Sequence, residues 1–487
     1  MQKPKKGDHA LVEVKSLNKK GNGLGIFSSS EDKALNVEVP FGIPGDKINA
    51  RIHKRRKGVY LSFIDEIKDP SPFRTEPRCK HFGVCGGCRM QNVPYSKQLE
   101  FKEEHVRKCF SDLLSDDVIF HKTIPCKTEW AYRNKMEFSF SSDVNGKQFL
   151  GLFMDSSKGK VMNITECHLV SPWFSDVIAE TRSWWEESEL KAYHPPSDRG
   201  ALRTLVVREG KRTGDRMVML TVSGNPDFAL SKGELENFVN AIRKASESTD
   251  SSNKLSIFLR IQQVAKGMPT NFYEMLLYGP DHIREVLEVQ IDPEDQPQKL
   301  HFHISPTAFF QPNTEQAERL YSTALQMACV EKGSVVYDLY CGTGTLGICA
   351  ASRAKEVIGI EVSPESALDA KTNASLNDIN NIKIISGAVR HVLGDCGIDG
   401  VLPKPDLVVI DPPRPGLDPE AMQGLLKLCS PRILYISCNP ETQAENVREI
   451  VQHGYRLEAV QPIDQFAHTP HIENIVVLVK EPVDGES

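Results

Sequence analysis

No stretch of the 487-residue chain approaches 18 consecutive apolar residues, so none has the length and composition of a membrane-spanning helix. Met1 to Lys6 lack the apolar segment of a secretory signal, and a cytoplasmic protein without a membrane partner is expected. Cysteine is not scarce, but twelve of them in a long chain without an export signal point away from disulfides and toward metal ligation, catalysis or burial. The net charge of −6 hides an imbalance: residues 1–60 hold 13 Lys and Arg against 6 Asp and Glu, a balance of +7, which leaves −13 for the rest. A basic module on an acidic body suits a polyanion partner, although a merely soluble basic face would have the same composition.

A chain of this length is expected to hold two to four domains. From residue 7 to about 67 no helical period survives. Short alternating runs (Ala10–Val14, Gly23–Phe27, Asn36–Pro40, Lys47–His53, Val59–Ile64) predict a five-stranded barrel with Lys54, Arg55, Arg56 and Lys57 beside one hairpin turn. Such barrels bind single-stranded nucleic acid along a basic face. Asp69 to Pro77 reads as a linker that delivers Cys79, Cys85 and Cys88 within ten residues, a loop able to wrap a metal with thiolates. A fourth ligand could come from Cys109, Cys126 or Cys167. Cys109 falls in a helix beginning at Ser96, Cys126 suits burial, and Cys167 sits between a strand and a turn. Spacing does not separate zinc from a [4Fe-4S] cluster, and five residues between Cys79 and Cys85 argue against radical chemistry. Strand-like runs from Trp130 to about Gln263 predict a central domain, in which Arg133 and Lys135 could hold phosphate or be ordinary surface charge. The expected boundaries are a barrel over 1–68, a central domain over 69–299 and a catalytic domain over 300–487.

The catalytic domain is organised around Val335 to Glu361. A strand from Val335 ends in Asp338-Leu339, a turn follows with Gly342, Gly344 and Gly347, and after a short apolar segment a second strand closes on Glu361. Glycines let backbone approach a ligand, and an acid in that place can accept from two ribose hydroxyls. Further runs at Ile382–Ser386, Asp406–Ile410, Ile433–Ser437 and Ile475–Val479, with a weaker one near Arg456–Val460, predict a doubly wound α/β sheet of about seven strands. Two motifs fall at strand ends on the ligand-binding edge. Asp411-Pro412-Pro413-Arg414 lacks the aromatic that follows the proline pair in amino-group methyltransferases. Ser437-Cys438-Asn439-Pro440 offers a nucleophile: carbon 5 of uracil attacks a methyl donor only after a thiolate has added to carbon 6, and a base must then remove the proton on carbon 5. Glu473, before the last strand, could be that base, with His468 and His471 as possible helpers or turn residues.

Gln311-Pro312-Asn313-Thr314 reads as a helix start. Together these motifs, with Tyr132-Arg133-Asn134-Lys135 and Phe310-Gln311-Pro312-Asn313, resemble the RNA uracil-5 methyltransferase family over almost the whole chain. The resemblance implies a Rossmann-like methyltransferase fold behind an OB-type barrel of the TRAM kind. It also implies S-adenosylmethionine held by Gln311, Tyr340, Glu361 and Asp411, with Asp338, Gly342 and Gly344 shaping its loop. Cys438 would be the nucleophile, Glu473 the base, and Cys79, Cys85, Cys88 and Cys167 the ligands of a structural [4Fe-4S] cluster. The implied partner is RNA, ribosomal in preference to transfer RNA, and a monomer is expected. Methylation of an amino nitrogen, or RNA binding without catalysis, are the competing readings.

Overall fold

The structure, a computed structural model, describes residues 4–28, 34–155, 157, 159–247, 254–264, 270–395 and 402–482. Most of the polar Ser246–Asn253 segment lies outside them. The chain forms two units. One takes Met1–Arg107 with Phe153–Lys160 and Phe466–His471; the other takes Lys108–Leu152, Val161–Gln465 and Ile472–Ser487.

In the first unit β1 (His9–Leu17), β2 (Gly23–Ser28), β3 (Ala34–Val39), β4 (Lys47–Arg56) and β5 (Val59–Asp69) close a barrel in the order β1-β2-β3-β5-β4. Alternation puts Val12, Val14, Val37, Val39, Ile48 and Ile52 inside, which is why the period-2 pattern is so clear in the sequence. The turn before β4 is fixed by Asp46, fully buried, which accepts from the N–H of Ile43 (2.8 Å) and of Ser71 (2.9 Å) and pairs with Arg74. The five expected strands are therefore present and closed.

In the second unit β6 (Ile119–Phe120) precedes a central sheet made by β7 (Lys135–Ser142), β8 (Gln148–Phe153), β9 (Val161–Asn163), β10 (Leu202–Glu209), β11 (Arg216–Ser223), β12 (Leu255–Gln263) and β13 (Asn271–Tyr278). Their order is β13-β12-β11-β10-β7-β8-β9. A helix from Tyr95 to Cys109, α1, starts one residue before the expected Ser96 and crosses the unit boundary; α2 (Pro172–Glu186) and α3 (Lys232–Ser246) belong to the central part. A ribbon of β14 (Ile283–Val289) and β15 (Gln298–Ile304) leads to α4 (Thr314–Ala328), capped by Asn313 as the motif predicts. The catalytic sheet then follows: β16 (Val335–Leu339), α5 (Thr345–Ala351), β17 (Glu356–Glu361), α6 (Pro364–Leu376), β18 (Ile382–Ser386), α7 (Val389–Asp395), β19 (Leu407–Ile410), α8 (Pro419–Leu428), β20 (Arg432–Ser437), α9 (Pro440–Gln452), β21 (Tyr455–Ile463) and β22 (Glu473–Lys480). Its order is β18-β17-β16-β19-β20-β22-β21-β6. The strands from β16 to β20 run parallel, and β22 is antiparallel to both neighbours. The seven expected strands are all there, and β6, two residues long, adds an unexpected eighth.

The start expected near Leu300 falls inside β15, whose hairpin partner begins at Ile283. One core joins Met217, Met219 and Phe258 of the central sheet to Leu287 and Phe302 of the ribbon and to Leu320 and Leu434 of the catalytic part. Glu285 is buried at this junction. It accepts from the N–H of Lys211 (2.6 Å), Arg212 (3.0 Å) and Val286 (3.0 Å) and from the Thr314 hydroxyl (2.9 Å). The proline-rich ribbon loop is tied down as well, by Arg353 to Asp292 (2.7 Å) and Asp295 (2.6 Å). Removing the Glu285 carboxylate strands three backbone donors. Glu285→Ala should cost about 2–4 kcal/mol, read as a lowered urea midpoint, whereas an unchanged midpoint would mean the junction does not need the acid.

Candidate active site

The strand order reverses between β16 and β19, so the crevice at their carboxyl ends is where a ligand is expected in this topology. Strand β16 ends in Asp338 and Leu339, and the turn after it carries three left-handed residues, Tyr340 (φ 66°), Gly342 (φ 56°) and Gly344 (φ 78°). A Cβ at Gly342 would meet nothing within 4 Å, so the backbone there faces open space; one at Gly344 would come within 2.9 Å of Ala370 Cβ. Asp338 holds the loop from beneath, its Oδ2 accepting from the Gly347 N–H at 2.7 Å. Burial, with Asp411 and Glu361 nearby, pushes the Asp338 carboxyl up to about 7. Glu361 reaches across from the end of β17 and accepts from the N–H of Gly342 (2.9 Å) and of Ser363 (2.8 Å).

Gln311, buried, precedes the α4 cap on the other side. Its carbonyl accepts from Asn134 Nδ2 at 2.9 Å and its Oε1 lies 3.4 Å from Gln465 Nε2. Asn134 also donates to Thr314 Oγ1 at 3.1 Å, so the central sheet positions this loop. The phenol of Tyr340 is raised to about 12 by burial and by Asp418.

Cys438 and Glu473 meet through strand register. Ser437 on β20 pairs with Asn474 on antiparallel β22, so the next positions along the ladder are Cys438 and Glu473. Gln443 of α9 clamps this end by donating to the carbonyls of Tyr435 (2.9 Å) and Asn474 (3.1 Å). Asp411 follows β19 alongside. Burial first, and then Glu473, push the Cys438 thiol up to about 11, while Arg414 opposes both through its charge and a side-chain hydrogen bond. Glu473, 4% exposed, is raised well above its ordinary value by burial and by Asp411, and again Arg414 pulls the other way. Burial alone lifts Asp411 to about 7. The carbonyl of Arg414 accepts from Asn439 Nδ2 and Thr442 Oγ1, both at 3.1 Å, which fixes its backbone beside the cysteine. Arg414 had stood out in the sequence only for not being aromatic. Its spacing from Asp411 was the signal available. Cys438 is half-buried rather than sealed in the core. Outside this site, the second unit also has a cleft of about 690 Å³ beside Trp185, Leu190 and His194, and none of the expected site residues lines it.

His468 and His471 fall in the other unit. His468 has φ 66° and its Nδ1 lies 3.1 Å from Gln98 Nε2, a turn role of the kind expected as one alternative. In the same unit Cys79, Cys85 and Cys88 are half-buried on a loop where the Gly87 N–H lies 3.4 Å from Cys85 Sγ. Burial raises the Cys85 thiol, and Cys79 adds to this. Thiols are the right donors for a cluster. Among the described residues, however, no group of three or more His, Cys, Asp or Glu side chains is placed to hold a metal ion, so the four-cysteine cluster finds no support in the geometry. Cys126 is buried, its thiol 2.9 Å from the Asp464 carbonyl, as expected.

A nucleoside-binding crevice at a switch point, with a thiol and a carboxyl at one strand end, defines a methyltransferase of the doubly wound class. Residues 243–481 match the family model described as tRNA (Uracil-5-)-methyltransferase. An uncharacterized RNA methyltransferase of Protochlamydia amoebophila is 53% identical over 442 residues, covering 91% of this chain and 99% of the relative. One from Chlamydia trachomatis is 38% identical over 403 residues, 82% of this chain and 97% of the relative. The solved Pyrococcus abyssi tRNA (uracil-54, C5)-methyltransferase, in complex with S-adenosyl-L-homocysteine, is 25% identical with a TM-score of 0.70, covering 97% of this chain and 99% of that one. The chain belongs to the RNA uracil-5 methyltransferase family and is an S-adenosylmethionine-dependent RNA methyltransferase.

The Cys438 thiol is protonated at neutral pH, so its alkylation by iodoacetamide should rise about tenfold per pH unit between pH 8 and 10, as the thiolate fraction does. Arg414→Ala should slow that alkylation at pH 8 by about threefold or more, read on the Cys438 peptide with exposed Cys329 as internal control. Equal rates in both proteins would remove Arg414 from the site.

Proposed function

We propose that this methyltransferase acts on carbon 5 of its uridine by a covalent route, with Cys438 as the nucleophile and Glu473 as the base. The ladder position that makes Cys438 and Glu473 neighbours, with Arg414 acting on both, carries this reading. The minor thiolate form of Cys438, favoured by Arg414, adds to carbon 6, and the electron pair of the 5,6 double bond moves toward the carbonyl, which makes carbon 5 nucleophilic. S-adenosylmethionine, when bound, would supply a methyl on a cationic sulfur; carbon 5 would take that methyl as the sulfur–methyl bond breaks and the sulfur leaves as a neutral thioether. Glu473 then removes the proton from carbon 5, the double bond re-forms, and the thiolate leaves carbon 6. Gln311, Tyr340, Glu361 and Asp411 would hold the methyl donor, with Asp338, Gly342 and Gly344 shaping its loop. Open space over Gly342 and a pocket of buried acids suit a cationic nucleoside.

The barrel would serve as a TRAM-type RNA-binding module, with Lys54 to Lys57 on its β4–β5 hairpin meeting phosphate. Ribosomal RNA is the favoured substrate because the cysteine loop resembles the ribosomal branch. Transfer RNA is the second reading, supported by the descriptions of the family model and of the Pyrococcus abyssi enzyme. Nucleoside mass spectrometry of ribosomal and transfer RNA treated separately with the enzyme decides between them. The [4Fe-4S] cluster on Cys79, Cys85, Cys88 and Cys167 rests on resemblance alone and takes no part in the methyl transfer. Broad absorption at roughly 400 nm in anaerobically purified protein would support it, and colourless protein would remove it.

Cys438→Ala should abolish methylation, with a loss of about 10³-fold or more and no covalent RNA adduct. Glu473→Gln should slow release by about 10²–10⁴-fold and let an RNA–protein adduct accumulate on denaturing gels. Normal turnover by Cys438→Ala would overturn the covalent route.

A further inference from the structure

The two faces of the central sheet differ in a way the reaction above does not use. One face lies against helices: Phe140 of β7 meets Trp185 of α2 with ring centroids 5.1 Å apart. The other begins as protein core, where Val206, Met219 and Phe258 join the interior shared with the catalytic part. Two residues further along each strand the same face turns polar. Register places Ser139, Thr204, Thr221, Arg260 and Glu274 in one row across β7, β10, β11, β12 and β13. A row of hydroxyls and charges immediately beyond a packed core marks where protein packing stops.

Both ends of this face carry groups suited to a nucleic-acid strand. On β7, Lys135 lies four residues before Ser139, on the other side of the core row and in register with the buried Arg208; it is half-buried, and among the described residues its ammonium has no hydrogen-bond or ion-pair partner. Burial and the nearby Arg208, with Arg260 and Arg133 adding smaller effects and Glu137 opposing, push it down to about 8. An anion at this point would relieve that cost. At the other end the Arg260 guanidinium lies 3.8 Å from the ring centroid of Phe272 on the edge strand β13 and 3.1 Å from Glu274. Phe272, on the same face as Glu274, is 41% exposed. The face also adjoins the active site, since Asn134, next to Lys135, holds the carbonyl of Gln311.

We propose that this face is the track for single-stranded RNA flanking the target uridine, with Lys135 and Arg133 taking a backbone phosphate and the Arg260–Phe272 pair stacking a base. The assignment rests on the RNA reading above and adds where the strand runs. Cations, hydroxyls and an exposed ring backed by a guanidinium are what unpaired RNA requires, because every base offers a face for stacking and every linkage a charge. An exposed edge strand such as β13 can also pair with a strand of another protein, but such a partner has no use for an unpaired ammonium on the sheet face.

The test is fluorescence anisotropy of a short labelled oligouridylate with the full chain, run beside a methyl-transfer assay on RNA lacking the modification. Phe272→Ala should weaken binding about fivefold or more, and Phe272→Trp should keep it, a rescue expected of stacking. Lys135→Ala should weaken binding and reduce the slope of log Kd against log salt by about 0.7. Wild-type affinity and salt slope in Phe272→Ala and Lys135→Ala, with methylation by the native enzyme intact, would overturn the track and leave the reaction standing. Loss of oligouridylate binding in those variants, with no methylation of uracil by the native enzyme, would keep the track and sink the reaction. If Phe272→Ala binds RNA normally but changes the sedimentation of the chain, β13 pairs with a second copy, and the track is likewise overturned.

Discussion

Burial sets the protonation of the pocket, and one guanidinium, that of Arg414, opposes it at both Cys438 and Glu473. The pocket at the ends of β16, β19, β20 and β22 gathers three buried carboxyls and a thiol, and burial alone drives each of them toward its neutral form. A neutral thiol is a poor nucleophile and a protonated carboxyl is no base. Arg414 opposes that drift at both Cys438 and Glu473, and its backbone is fixed by Asn439 and Thr442 on the segment that carries the cysteine. A cationic methyl donor would add a second positive charge beside the same acids, so the pocket is better suited to its loaded state than to its empty one.

The fold can hold such a charge cluster because the surrounding structure over-determines it. Antiparallel β22, inserted between β20 and β21, brings Cys438 and Glu473, 35 positions apart in sequence, opposite one another just past the last paired rung of β20. A parallel strand there would have put Glu473 at the opposite edge of the sheet. Behind the crevice, the shared core and the Glu285 junction join the central sheet to the catalytic one, so that Asn134 can position Gln311 from a different sheet. The site is thus built from the end of one sheet and the margin of another, and displacement of either would reach the cofactor loop.

Much of this could be read in the sequence, for reasons that particular residues make plain. Parallel strands buried on both faces are short apolar runs with polar punctuation, so β16 to β20 stood out within a residue or so of their ends, as did the Asn313 cap. Barrel strands with one wet face alternate cleanly. By contrast β14 was missed because Glu285 occupies an inward position and breaks its alternation, and β13 because its residues are almost all exposed and show no period. The ladder position of Cys438 opposite Glu473 follows only from pairing between distant strands, and the effect of Arg414 on both only from their packing. Three cysteines within ten residues suggested a metal centre, but spacing alone does not bring side chains together, and the geometry did not supply support for the four-cysteine set.

The most direct measurement is mass-spectrometric mapping of the complex formed with S-adenosylmethionine and RNA carrying 5-fluorouridine at the target. Fluorine in place of the proton on carbon 5 leaves Glu473 nothing to remove, so the ring stays bonded through carbon 6 to the nucleophile. The covalent route predicts a stable adduct whose only linked peptide contains Cys438 and whose ring already carries the new methyl. An adduct at another residue, or methylation of ordinary RNA with no adduct on the fluorinated one, would contradict it.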